Sequence, residues 1–333
     1  MDRGEATILV ALDISAAFDM VVHSTLLRLR NTFGVDDVAL EWIESYLTGR
    51  DQSAKIGSAI SQPTSCNCGV PQGSALGPIL CTVYTSPTAK VAEAHGVSQQ
   101  HYANDTQLHV AVSKLSLTTA TRNLEGCVTA LHRWFAENGL ALNPNKSEAM
   151  LVSTAQRAKE FSSLRTVSAA GSAVKVASQI KLLGVTLDAN LNFYAQKKNV
   201  YRASYSNIRA LRHIRSSITE NMANSIECAL IQSRLDYANA LYAGMSFTNF
   251  DKVQGEQNTL ARVVTLTAKR DHITSTLERL HWLPIRYRVD YKLARLTYKI
   301  HLSGEPPHLR SQLIDSSEIT QIFWQTFTCC AKD

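Results

Sequence analysis

Tyr102-Ala103-Asn104-Asp105 lies in the middle of a segment, Ser98 to Val112, that reads as a β-hairpin with this tetrapeptide as its turn. Asn and Asp suit a tight turn because their side chains bond nearby backbone and tolerate unusual φ. Leu108, His109 and Val110 supply the returning strand. Taken alone, the four residues establish a turn and nothing more.

Two earlier stretches change their meaning. Thr7-Ile8-Leu9-Val10-Ala11-Leu12 is a short apolar run with β-branched residues, the pattern of a buried strand, and it delivers Asp13 to the strand end. Two readings of Asp13 stand: a helix N-cap, or a hard oxygen ligand of the kind Mg²⁺ prefers. Further on, Gly69-Val70-Pro71-Gln72-Gly73-Ser74-Ala75-Leu76-Gly77-Pro78 combines three glycines and two prolines with two side chains able to hydrogen-bond a ligand edge.

In this order, Leu12-Asp13-Ile14-Ser15-Ala16-Ala17-Phe18-Asp19, the Gly69–Pro78 stretch and Tyr102-Ala103-Asn104-Asp105 resemble motifs A, B and C of a reverse transcriptase, in the form found in non-LTR (LINE-like) retrotransposons. Gly139-Leu140-Ala141-Leu142-Asn143-Pro144-Asn145-Lys146-Ser147 resembles the fourth motif of that family, and Ile180 to Leu187 resembles the fifth, a hairpin supporting the primer end. The resemblance covers roughly residues 2–305. It implies an α+β fold: a polymerase palm, with an antiparallel sheet and packed helices, over residues 1–190. A helical thumb-like region follows over 191–305, and an irregular end over 306–333.

The resemblance also implies roles. Asp13 and Asp105 would hold Mg²⁺ in a two-metal site, with Asn104 where the family has a further aspartate. Phe18 would exclude a ribose 2′-hydroxyl. Pro71, Gln72, Gly73, Ser74 and Tyr102 would lie against template and nucleotide. Lys146 is either a proton donor to the leaving pyrophosphate or an ordinary solvated lysine. The implied partners are an RNA template, a DNA primer or their hybrid, and deoxynucleoside triphosphates.

Two departures bear on activity. Asn104 keeps one oxygen but brings no charge, so fewer carboxylates compensate the metals. The family's fingers, with the residues that clamp the triphosphate, are expected upstream of motif A, where only about a dozen residues stand. The expectation is a reverse transcriptase fragment of a retrotransposon with impaired catalysis that repairing Asn104 alone does not restore. The alternatives are a non-catalytic nucleic-acid-binding remnant, retained or decaying, and, more remotely, an unrelated α+β interaction protein.

Bulk properties agree with a folded chain. Of 333 residues, 45% are hydrophobic and 19% charged, which excludes a disordered chain. No apolar run reaches the roughly 20 residues needed to span a bilayer, and the first residues lack a signal-peptide pattern, so an intracellular protein with no membrane partner is expected. Seven scattered cysteines argue against a disulfide framework, and Cys66-x-Cys68 lacks zinc spacing. Residues 1–190 carry 15 Lys/Arg and 16 Asp/Glu, whereas 191–333 carry 19 and 12. The basic second part suits either a phosphate-rich partner or a solvated helical surface.

Helical spacing predicts helices from Asp36 or Asp37 to Leu47, Ala75 to Val91 with interruptions at Pro78 and Pro87, Arg122 to Asn138, Tyr201 to Ile214, Thr219 to Leu235 and Asn249 to Val264. Arg202, Arg209, Arg212 and Arg215 are expected near one face of the fourth.

Overall fold

A computed structural model describes residues 5–28 and 33–313, which divide into two compact units, Met1–Leu191 and Asn192–Asp333. The first unit is built on a six-stranded sheet. Its strands are β1 (Ala6–Leu12), β2 (Ser98–Tyr102), β3 (Asp105–Val112), β4 (Glu148–Val152), β5 (Thr166–Ala169) and β6 (Ser172–Ala177), in the spatial order β5-β6-β4-β1-β3-β2. Strict alternation in β1 buries Ala6, Ile8, Val10 and Leu12 on one face. Helix α1 (Leu117–Glu137) closes that face with Leu124, Cys127, Val128, Leu131 and Phe135, all fully buried. Each such side chain contributes about 1.5–3 kcal/mol of burial, so this contact dominates the unit. The other face is left to β1 residues Leu9, Ala11 and the acid that follows them.

The expected hairpin is present, with Tyr102 paired to Asp105 across the turn. The sheet is not purely antiparallel, however. β4 and β6 run parallel, with Ala149 opposite Val176 and Met150 opposite Ala177. The chain leaving β4 has room to cross over and form β5 first, and β6 then returns beside β4. A further hairpin, Gln179–Leu182 with Val185–Asp188, packs Ile180 on Met150 and Val152.

Some helix boundaries shift for physical reasons. Pro78 sits in the first turn of the helix Gly77–Thr85, where its missing N–H costs nothing, and Pro87 separates that helix from Thr88–Ala94. α1 begins at Leu117 rather than Arg122, because burial of Ala120 and Leu124 outweighs the poor propensity of its threonine-rich first turns. The polar stretch after Gly49 forms two nested short ladders, Asp51–Gln52 with Thr64–Ser65 and Lys55–Ile56 with Ala59–Ile60.

The second unit is helical. Its longer helices are α2 (Tyr194–Ile214), α3 (Phe247–Thr265) and α4 (Ile285–Ser303), around a core that includes Ile208, Leu211, Leu235, Leu260, Val264 and Trp282. The single helix expected from Thr219 is instead Glu220–Glu227, a π turn Cys228–Gln232, and Ser233–Asp236. Arg288 pairs with Asp236, and Gln257 donates to the Leu283 carbonyl at 3.0 Å. The first bond ties Asp236 to α4, and the second ties α3 to the turn that precedes α4.

Arg215 departs from the expected basic face. It is buried, donating to the carbonyls of Val264 and Ile218 at 2.8 Å each. A 3₁₀ turn, Arg215–Ser217, follows α2 directly and rotates the side chain inward. A short helix, Pro307–Arg310, stands within the expected irregular end, whose residues from 314 on lie outside the described residues. Among the described residues, no helix is long and apolar enough to cross a membrane.

Candidate functional site

β1 and β3 are antiparallel neighbours with Leu12 opposite Thr106, so Asp13 and Asp105 stand next to each other one step further on. Both line a pocket of about 110 Å³ together with Ala11, Gln107, Lys146, Glu148, Lys181 and Leu182. Asp105 is half-buried, and its carboxyl lies above the ordinary carboxylate range. Desolvation is the larger cause and the negative charge of Asp13 the second.

The turn bearing Lys146 is fixed to Asp13 through the backbone. Asn143 donates its N–H to the Asp13 carbonyl at 2.8 Å, and Ser147 Oγ donates to the Asn143 carbonyl at 2.9 Å. The adjoining two-residue ladder, Ile14–Ser15 with Ala141–Leu142, continues the same tie. Lys146 is exposed at the pocket edge.

Asn104 and Tyr102 are beside this pocket in the chain but are not among its lining residues. Asn104 is partly buried, and Tyr102 is 64% exposed. Ala103, between them, has a φ of +55°, a left-handed conformation that costs a non-glycine residue about 1 kcal/mol.

Phe18 and the Pro71–Ser74 loop form a second cluster. Val70 donates to the Phe18 carbonyl at 2.7 Å, Gly69 to that of Val21 at 2.8 Å, and Gln72 Nε2 to Asp19 Oδ1 at 3.1 Å. Gly69 is required: its φ is +87°, and a Cβ there would sit 2.8 Å from the Asp19 carbonyl oxygen. Ser74 Oγ is held by Tyr46 Oη at 2.8 Å and itself donates to the Pro71 carbonyl at 2.8 Å, which shapes the loop and leaves Gln72 and Gly73 exposed. The short segment 13–18 connects this cluster to the acidic pocket.

One residue at the pocket carries no motif signal, Glu148; Lys181, also in its lining, belongs to the fifth-motif stretch. Glu148 pairs with Ala11 across the sheet, and Ala11 also pairs with Gln107, so Glu148 shares the open face with Asp13 and Asp105. Its Oε2 accepts from the Lys181 backbone N–H at 3.2 Å, tethering the hairpin 179–188. The one available sequence signal was a charged residue opening an otherwise apolar strand.

The donor set can be compared with the divalent ions the resemblance implies. Two neighbouring carboxylates fit one hard cation, which commonly takes one or two carboxylates and completes its shell with water and phosphate. Among the described residues, no group of three His, Cys, Asp or Glu is placed to hold a metal ion. A larger cleft of about 580 Å³ is lined, among the described residues, by Leu26, Trp42, Ile43, Leu76, Ile79 and other apolar side chains.

An α+β sheet that brings two motif carboxylates together beside a lysine has the make-up of a nucleotidyl-transfer domain. The family model described as "Reverse transcriptase (RNA-dependent DNA polymerase)" matches residues 1–187, and the chain belongs to this family. The chain is 27% identical over 266 residues to the probable RNA-directed DNA polymerase from transposon BS of Drosophila melanogaster, covering 77% of this chain and 28% of that protein. It is 24% identical to the polymerase from mobile element jockey of Drosophila funebris (76% and 28%) and 24% identical to the probable one from transposon X-element of Drosophila melanogaster (93% and 36%). The domain is thus of the LINE-like retrotransposon type, and the chain spans about a third or less of the length of these relatives. Among solved structures, apo telomerase from Candida tropicalis aligns over 92% of this chain and 52% of its own, at 10% identity and a TM-score of 0.40.

Proposed function

We propose that residues 1–190 are a palm whose acidic pocket is built for RNA-templated DNA synthesis and whose catalysis is weakened at Asn104. The observation that carries this reading is the meeting of Asp13 and Asp105 in one pocket, with Lys146 at its edge. A divalent cation bound there would supply the charge that steadies the transferring phosphate. Asp13 and Asp105 provide the binding charges, and Lys146 offers a cation and a proton at the pocket mouth. Phe18 and the Gly69-to-Ser74 loop, bonded to each other, form the wall against which sugar and template would rest. Asn104 offers an amide oxygen without charge. Loss of one preorganised charge from such a site costs several kcal/mol of transition-state stabilisation.

The helical second unit supplies the phosphate-binding surface in this reading. Arg202, Arg209 and Arg212 are exposed along α2 and suit contacts that neutralise phosphates without reading bases.

The test is primer extension by the purified chain on an RNA template with an annealed DNA primer, deoxynucleotides and Mg²⁺ or Mn²⁺. No extension is expected, together with binding of primer–template that weakens steeply as salt rises. Extension by the unmodified chain, abolished by Asp13→Ala, would overturn the assignment of Asn104 as a defect. Absence of binding at low salt would overturn the nucleic-acid reading itself.

A further inference from the structure

Helix α4 turns little of its surface inward. Ile285, Val289 and Ile300 are buried, whereas Tyr287, Tyr291 and Tyr298 are 59%, 63% and 66% exposed. Leu302, near the end, is 74% exposed. Their spacing is four, seven and four residues. With 3.6 residues per turn, these positions fall within about 60° of one another, so the three rings form one stripe over about 16 Å of helix. Folding does not explain it, because tyrosine rings gain free energy by leaving water.

The charge beside the stripe is one-sided. α4 contains Arg286, Arg288, Lys292, Arg295 and Lys299 against a single acid, Asp290. Arg288 is committed to Asp236, and Arg286 lies 5.0 Å over the exposed ring of Phe247. Lys292, Arg295 and Lys299 are exposed along the part of the helix that carries Tyr291 and Tyr298.

We propose that this face of α4 is a stacking platform for unpaired nucleotides, with the tyrosine rings taking bases and the neighbouring cations taking phosphates. Base–aromatic stacking tolerates any sequence because every base has a π-face, and it needs unpaired bases because a duplex hides those faces. The charge selects a polyanion over a neutral or basic protein surface. The class of partner rests on the nucleic-acid reading above; the place rests on the stripe alone. The unpaired strand is RNA or DNA, two sources with the same chemistry.

The test is equilibrium binding of the full chain, by fluorescence anisotropy, to oligo(dT), to oligo(rU) and to a duplex of the same length, each about fifteen nucleotides. Tyr287→Ala, Tyr291→Ala and Tyr298→Ala combined are expected to weaken binding of an unpaired oligonucleotide about tenfold or more, with an unchanged salt slope. The matching triple substitution to Phe keeps the rings and the affinity. Lys292→Ser, Arg295→Ser and Lys299→Ser combined flatten the slope of log affinity against log salt by about 2. The dT and rU arms show which strand is taken. Affinity of the alanine variant within twofold of wild type, at an unchanged melting temperature, would overturn the platform while leaving the nucleic-acid reading intact. Tighter binding of duplex than of either oligonucleotide would do the same. Loss of self-association in the alanine variant at unchanged oligonucleotide affinity would assign the stripe to a protein contact and also overturn it. A wild-type chain that binds none of the three at low salt ends both readings.

Discussion

Asp13 and Asp105 stand side by side at the ends of adjacent antiparallel strands, and the charge of the first helps hold the carboxyl of the second above its ordinary range. Two like charges held close work against the fold. The native state binds a proton at Asp105 more readily than the unfolded chain, so this contribution to stability falls as pH rises through Asp105's raised value.

Asp105→Asn is therefore expected to stabilise the metal-free protein at neutral pH. Solvent screening reduces the gain to a fraction of a kcal/mol, a rise of about 1–2 °C in melting temperature. Millimolar Mg²⁺ should raise the wild-type melting temperature and leave the variant unmoved. A variant that melts below wild type without metal would contradict this account of the pair.

Asn104→Asp should restore an acid beside this pair. The expected outcome is Mn²⁺ binding about tenfold tighter, near 1.4 kcal/mol, followed by electron paramagnetic resonance titration. Equal affinity in both proteins would show that position 104 contributes nothing to ion binding.

The arginines of α2 divide by burial. Replacing Arg202, Arg209 and Arg212 with Ser should leave stability within about 0.5 kcal/mol per site and flatten the salt dependence of primer–template binding. Arg215→Ala removes the donor to the buried Val264 and Ile218 carbonyls and should cost about 2–4 kcal/mol in a urea melt. A stable Arg215→Ala protein with a flattened salt slope would reverse this division.

Glu227 gives the second unit a pH-dependent weakness. It is fully buried, neither carboxylate oxygen has an N–H or O–H donor among the described residues, and burial raises its pKa to about 7 against the opposing pull of the Cys228 thiol and the Arg288 charge. With 4.5 as its ordinary value, native Glu227 keeps a proton that the unfolded chain has lost between those two pH values. Stability therefore declines as pH rises from about 4.5 to about 7, by on the order of 2–3 kcal/mol, and stays low above. Glu227→Gln should flatten this decline in urea midpoints measured from pH 5 to pH 8. An unchanged slope in the variant would place the titration elsewhere.

What the sequence discloses differs from residue to residue. Asp13 is legible because a charge ends an apolar strand, and Asp105 because its hairpin follows two specific motifs. Glu148 is not, since its place beside them depends on pairing with Ala11, far away in the chain, and no local pattern encodes that register. Arg215 follows Arg212 at ordinary helical spacing, and only the turn of tighter helix after Ile214 reveals that it points inward. The parallel pairing of β4 and β6 was equally hidden, because strand propensity says nothing about the direction in which a chain returns.

The location of Asn104 has one more consequence. Asp13 continues the central strand, bonded to neighbours on both sides, whereas Asn104 occupies a two-residue turn in which Asn is as comfortable as Asp. The fold therefore does not distinguish the two residues. Position 104 can exchange one residue for the other with no change in the hairpin that holds it.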